Sequence, residues 1–212
     1  MTEGLRERKK RKTRRHLSDV AIGLFVDRGF DQVTIAEIAA AAEVSVNTLY
    51  NYFAAKEDLV LPPEEASPQR LADIVRDRAP GESAAGAVLA RLREELRGQD
   101  RRLGLTAGFG RVLEMMLAAP TLRARLEELG AQMTDALAEA LAEEAGAAPG
   151  DPLPRAVAWQ IGCLHSLVFA EVGRRVAAGE RPEAIAGAVL ELLDVTEALA
   201  GERLLTYAVR EG

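Results

Sequence analysis

The chain has 212 residues, 48% of them hydrophobic, and a single cysteine, Cys163. That is enough apolar material for one large domain or two small ones, and it excludes an intramolecular disulfide framework. The formal net charge of −6 conceals a basic N-terminal end, where Arg6, Arg8, Lys9, Lys10, Arg11, Lys12, Arg14 and Arg15 face only Glu7.

A basic end on an acidic body points to a polyanion partner for that end, or else to a solvated tail with no partner. Ala, Leu, Glu and Arg dominate and β-branched residues are sparse, which is an all-α composition. No apolar run approaches the roughly 20 residues of a membrane span, and no h-region follows the basic residues. The expectation is a cytoplasmic protein with no membrane partner.

In chain order, residues up to about Lys10 are too polar to pack and are expected to form a mobile arm. The spacing of Leu17, Val20, Ala21, Leu24 and Phe25 predicts a helix from Arg11 to Arg28, capped by Gly29 with Phe30 packing back. Thr34 with Glu37 three residues on is a capping box, so a second helix starts after Thr34 with Ile35, Ile38, Ala39 and Ala42 as its apolar face. Glu43 and Val44 make a turn, and Ser45 can cap a third helix that sends Leu49 and Phe53 into the same core. A further short helix is expected from Lys56 to Leu61. A helix, a tight turn and a second helix with polar residues left over is the pattern of a helix-turn-helix DNA reader.

Pro62, Pro63 and Pro68 then interrupt the chain. They divide it into a DNA-binding domain, residues 1–61, and a helical regulatory and dimerisation domain, residues 62–212. In the latter, helices are expected from Pro68 to Arg78, from Ser83 to Gly98, from Arg101 to Ala119, from Thr121 to Ala145, from Pro154 to Ala178 and from Pro182 to Ala200.

The run LSDVAIGLFVDRGFDQVTIAEIAAAAEVSVNTLYNYFAAKEDLV closely resembles the N-terminal domain of TetR-type transcriptional repressors. Ala21, Leu24, Phe25, Gly29, Phe30, Thr34, Ile38, Ala39 and Ala42 carry the likeness. So do Val44, Ser45, Thr48, Leu49, Tyr50, Phe53, Lys56 and Leu59. The residue before Thr48 is often Gly in that family; here it is Asn47.

Base reading falls to Ser45, Val46, Asn47 and Thr48 at the exposed start of the third helix. Asn can pair bidentately with adenine, and Val or Thr methyls can meet a thymine methyl. The resemblance implies backbone contacts for Tyr50 and for Thr34, and the Tyr50 role extends to Tyr52. Lys56 opens a helix, where its ammonium and the backbone N–H groups can hold a phosphate, though it also reads as a plain surface lysine. Arg11 and Arg14 are expected in the minor groove or along the backbone.

The helix from Pro154 is apolar nearly all round, so it needs cover on two sides. The resemblance implies that it and the last helix pair with their mates in a homodimer, which assigns Val157, Ile161, Leu164, Val168, Val189 and Leu192 to the interface. It also implies a small-molecule pocket. Phe109, Arg111, Met115, Met116, Met133, Trp159, Cys163 and Phe169 are the candidate lining, although the same residues at helical spacing serve equally well as core.

His16 and His165 are far apart, and no Cys, His or carboxylate set has metal-ligand spacing. No nucleophile elbow or phosphate-cradling loop is present. No enzyme activity, cofactor or metal is expected. The reading is an all-α homodimeric regulator that binds a double-stranded DNA operator and is released by an apolar or amphipathic effector. The alternatives are a ligand-independent regulator and a helical interaction module whose basic arm binds nucleic acid non-specifically.

Overall fold

The computed structural model describes residues 4–61, 66–105 and 108–211, and the regular elements among them are all helical. The backbone divides into two compact units. One is Met1–Ala66 with Arg111–Arg125; the other is Ser67–Gly110 with Leu126–Gly212.

The first unit opens with α1, Leu5–Arg28. The basic segment expected as a mobile arm is therefore helical. Arg and Lys are good helix formers, and lengthening a helix whose far end is already packed needs no new nucleus. Leu17, Ala21 and Phe25 bury the packed face completely. Gly29 ends α1 at φ 88, and its N–H donates to the Phe25 carbonyl at 2.8 Å. The chain turns there so that the Phe30 ring sits 4.8 Å from that of Phe25.

Helices α2 (Ile35–Ala41) and α3 (Val46–Tyr50) follow. The turn between them places Glu43 at φ 55, and the Val44 N–H donates to the Ala39 carbonyl at 2.9 Å. A left-handed residue with a side chain costs about 1–2 kcal/mol, so the tight turn is held against local preference by the packing on either side. Ile38, Ala39, Leu49, Phe53 and Leu59 supply that packing. The helix expected from Lys56 to Leu61 is a single 3-10 turn, Glu57–Leu59. It is tied down because Ser18 Oγ donates to the Leu59 carbonyl and the Asp58 carboxylate accepts the Ala55 N–H. Pro62 and Pro63 lie outside the described residues.

In the second unit, α4 is Arg70–Arg76 and α5 is Ala84–Arg97, capped as expected by Ser83, whose Oγ accepts the Gly86 N–H at 3.0 Å. The single helix expected from Arg101 to Ala119 is broken. A 3-10 turn at Arg101–Leu103 ends at Gly104, φ 76, and α6 starts only at Phe109 and runs to Ala118. A Cβ at position 104 would lie 2.4 Å from the Phe109 ring, so glycine is required both by conformation and by space. Pro120 begins α7 (Pro120–Glu144) rather than merely ending α6, since proline at a first helical position gives up only an N–H that would be unpaired anyway. Helices α8 (Leu153–Ala177) and α9 (Pro182–Leu199) lie within a residue of expectation, and a short α10, Glu202–Leu205, has no counterpart in the sequence reading.

Helix α8 packs against α5 and α9. An 18-residue window within it has a mean hydropathy of 1.3, long and apolar enough by length and composition alone to cross a membrane. Its buried side is nonetheless the core of the second unit.

Arg78, whose side chain is 1% exposed, stitches that unit together. It donates to the carbonyls of Val75, Glu82 and Ala208 and to the Glu144 carboxylate. The segment around Arg210 closes the same turn: the Gly81 N–H donates to the Arg210 carbonyl at 2.9 Å, and the Arg210 N–H donates to that of Glu82 at 3.0 Å.

Candidate nucleic-acid interface and regulatory unit

The capping box at Thr34 is complete. The Glu37 N–H donates to Thr34 Oγ1 at 3.3 Å, and the Thr34 N–H and hydroxyl each donate to the Glu37 carboxylate at 2.8 Å. Arg28 adds a 2.7 Å ion pair to the other Glu37 oxygen. The Thr34 backbone hydrogen bond, then Arg28, hold the Glu37 carboxyl down at about 2. Thr34 is at the surface, but its hydroxyl is already used twice inside the cap.

Helix α3 is fixed the same way. Ser45 Oγ accepts the Thr48 N–H at 3.0 Å and lies 2.8 Å from the Thr48 hydroxyl. Leu49 is fully buried beneath it, which fixes what its other faces present. Val46 is 40% exposed, Tyr50 is 52% exposed, and Asn47 is exposed as well. Ser45 is exposed and Thr48 half-buried, so the capping hydroxyl pair lies at the edge of the same surface. Tyr52 is half-buried.

Two cations assigned to DNA from the sequence turn inward. Arg14 donates through Nη2 to the Tyr52 carbonyl at 2.5 Å and lies over the Phe53 ring at 5.5 Å, joining α1 to the end of α3. Lys56 Nζ donates to the Phe30 carbonyl at 2.5 Å and lies 4.3 Å from the centre of that ring. Both are long amphipathic side chains whose stems cover apolar surface and whose heads reach partly buried carbonyl acceptors. Arg11, by contrast, is exposed on α1.

The residues proposed from sequence to line a ligand pocket do not form one group. Arg111 belongs to the first unit and makes an exposed 3.1 Å ion pair with Asp27, which corrects its reading as a ligand anchor. Met115 and Met116 are buried and belong to the same unit. In the second unit, Met133 is buried and Phe109 covers Gly104. Phe169 stacks on His165 at 4.6 Å between ring centres. Trp159 and Cys163 face outward. They line an open groove of about 1050 Å³ between α7 and α8, with Leu126, Gly130, Thr134 and Leu167.

Within the single chain, one face of α8 is buried and the other is open. Val157, Ile161, Leu164 and Val168 are buried within the single chain, as is Val189 of α9, so they have little surface left for a partner. Leu192 is half-buried. The open apolar side is Trp159, 64% exposed, with Cys163 and Leu167, and on α9 Val195 and Leu199.

Sequence reasoning also missed a buried polar cluster. Arg70 Nη2 donates to Glu95 Oε2 at 2.5 Å, with both side chains at most 10% exposed. The partners are 25 residues apart, so no helical periodicity links them.

Residues 17–61 match the family described as bacterial regulatory proteins of the tetR family, and residues 105–194 match that described as the MftR C-terminal domain. The transcriptional regulator TcmR of Streptomyces glaucescens is 32% identical over 183 residues, covering 82% of this chain and 75% of that protein. The chain belongs to the TetR family.

Solved structures share the fold. NalD, the secondary repressor of the MexAB-OprM multidrug efflux pump in Pseudomonas aeruginosa, superposes with a TM-score of 0.55 at 19% identity, over 88% of this chain and 97% of that one. SmeT in its complex with triclosan gives 0.55 at 18% identity, over 95% and 98%. The TetR assignment makes the chain a DNA-binding transcriptional regulator and gives the capped α2–turn–α3 its role as the DNA-reading element.

Proposed function

We propose that this TetR-family chain is a homodimeric, cytoplasmic repressor that holds a double-stranded operator through α3 and releases it when a small apolar or amphipathic molecule binds the second unit. The observation that carries the DNA half is the rigid presentation of Val46, Asn47 and Tyr50 on a helix capped by Ser45 and seated on Leu49. Asn47 reads bases, Tyr50 positions the backbone, and α1 adds phosphate contacts through Arg11.

A five-residue reading helix covers only a few base pairs, so two copies on two half-sites are needed for useful specificity. The outward stripe of α8 and α9 supports that pairing. Trp159, Leu167, Val195 and Leu199 form an exposed apolar surface of the kind that a second copy covers in a two-fold interface, and Trp159 is its anchor. Effector control is a coupling between sites: the ligand binds the DNA-incompetent arrangement more tightly and shifts the population by that difference. SmeT, a fold relative in complex with triclosan, supports this half of the reading. The second reading is a ligand-independent regulator; the dense packing of Leu71, Val75, Leu89, Leu92 and Leu96 favours it.

The test is fluorescence anisotropy on labelled duplex DNA from upstream of the chain's own gene, with scrambled competitor and a salt series. Competitor-resistant binding at two chains per duplex, or a multiple of two, is expected. Binding that scrambled DNA removes equally would overturn the operator at that position.

A further inference from the structure

Helix α4 has seven residues, where an isolated helix needs about 12–15 to hold in water, so it depends on what secures its two ends. At its start, Arg70 pairs with Glu95 of α5 at 2.5 Å, with both side chains at most 10% exposed. Its far end is secured by the segment after α10, residues 206–211. There the Arg210 guanidinium donates from Nη1 to the carbonyl of Arg76, the last residue of α4, at 2.7 Å. The same nitrogen donates to the Arg78 carbonyl at 2.6 Å, across 132 residues of sequence. Carbonyls of a last helical turn have no partner inside the helix, and a cation there also meets the negative end of the helix dipole. Arg210 is therefore a cap for α4 supplied from another part of the chain.

The rest of the segment encloses the turn between α4 and α5. The Ala84 N–H, which opens α5, donates to the Tyr207 carbonyl at 3.2 Å, and Arg78 Nη2 donates to the Ala208 carbonyl at 2.7 Å. The backbone of Arg210 pairs with Gly81 and Glu82 on either side of the same turn. Ala208 takes φ 51, a left-handed conformation that a side chain disfavours. Such strain persists only where the surroundings fix the backbone. Residues 206–211 are thus seated in one place, and the guanidinium of Arg210 reaches the end of α4 from it.

We propose that Arg210 is a positioning residue for operator binding, which acts by capping α4. The proposal rests on the reading of the chain as a dimer on two half-sites. Helix α4 begins four positions after Ala66, the last residue of the first unit's opening segment, so it directly continues the chain of the DNA-reading unit. Without its cap, α4 frays from Arg76 backwards and the connection gains slack. The contacts that α3 makes with bases are untouched by this. Two reading helices joined through slack connections have to be ordered before both half-sites are held, and that cost falls on the intact operator alone.

The test compares the full chain with Arg210→Gln, Arg210→Lys and a chain ending at Thr206. Hydrogen exchange followed by mass spectrometry reads the amides of residues 74–78. In Arg210→Gln they should exchange about tenfold faster, the effect of losing one charge-assisted hydrogen bond, while α8 and α9 keep their rates. Arg210→Lys keeps the charge without the planar fork and should fall in between. The shortened chain, which also uncovers the Ala84 N–H and Arg78, should exceed Arg210→Gln. Anisotropy is then measured on labelled duplex from upstream of the chain's own gene, intact or with one half-site scrambled. Arg210→Gln should weaken binding to the intact duplex about threefold to tenfold, the upper figure being the ceiling set by the opening of α4. Binding to the half-scrambled duplex and the ranking of base variants should stay as they were. Unchanged exchange at residues 74–78 would overturn the cap. Faster exchange with unchanged operator affinity, or equal losses on both duplexes, would overturn the link to DNA. Failure of the unmodified chain to prefer the duplex over scrambled DNA would overturn the operator reading and that link together, while the exchange rates still decide the cap.

Discussion

Lys56 Nζ and the Phe30 carbonyl are 2.5 Å apart, and the ammonium lies over the Phe30 ring. The bond spans 26 residues and fastens the end of the DNA-reading segment to the turn after α1. A lysine at this position thus works inside the unit. Lys56→Met is expected to lower unfolding stability by about 1–2 kcal/mol, from one charge-assisted hydrogen bond and a cation–π contact. Urea melts of the two proteins measure it. Unchanged stability with weakened DNA binding would return Lys56 to the phosphate role.

The four DNA-facing assignments separate by sequence dependence and by salt. Asn47→Ala should change the ranking of operator variants by about 1–3 kcal/mol at one base position. Tyr50→Phe should weaken all sequences alike. Arg11→Gln should reduce the log–log salt slope by about 0.9, one phosphate's worth. Arg14→Gln, whose guanidinium holds the Tyr52 carbonyl, should lose stability and leave the slope nearly as it was. Anisotropy titrations over a salt series, with a small set of operator variants, read all four.

The buried and open faces of α8 make opposite predictions for its two sides. Trp159→Glu or Leu167→Glu should give folded monomers in sedimentation velocity, with operator affinity greatly reduced. Ile161→Ala, on the buried side, should cost the protomer about 2–5 kcal/mol and leave its pairing unchanged where it stays folded. Dimers of undiminished strength in Trp159→Glu would move the interface elsewhere.

Burial, and secondarily the charge of Arg70, pushes the His165 imidazole down to about 4. The folded chain thus keeps it neutral over a range where the unfolded chain takes up a proton. Unfolding stability from this group is full above the ordinary histidine range near 6.5. It falls as pH drops from there to about 4, then levels off. Glu37, held at about 2, loses its contribution only below the ordinary carboxylate range. The interval between pH 6.5 and 4.5 therefore isolates the histidine. His165→Phe should flatten the stability profile there; a slope unchanged by the substitution would assign it to other groups.

The local parts of this fold are legible in the sequence because their partners are local. Thr34 and Glu37, or Ser45 and the Thr48 N–H, are three residues apart, and Gly29 follows directly on a periodic apolar stripe. The facing of α8 is not legible, because Val157, Ile161 and Val168 on one side and Trp159, Cys163 and Leu167 on the other are equally apolar. Only the tertiary packing of α5 and α9 chooses between them. The inward bonds of Arg14 and Lys56 are not legible for a related reason. A flexible cation carries no sign of direction, and the acceptors that drew these two inward are backbone carbonyls, which sequence does not distinguish. The Arg70–Glu95 pair and the role of His165 depend on which helices become neighbours.

Arg78 fills its guanidinium with acceptors from four stretches of chain, at Val75, Glu82, Glu144 and Ala208. A lysine has one ammonium where this site needs a planar fork, so even the most conservative replacement leaves several carbonyls stranded. In a living cell such a lesion would surface as scarcity. The chain would be cleared by proteases before it reached a promoter, and a genetic screen for altered regulation would score position 78 as a null allele although it touches neither DNA nor effector.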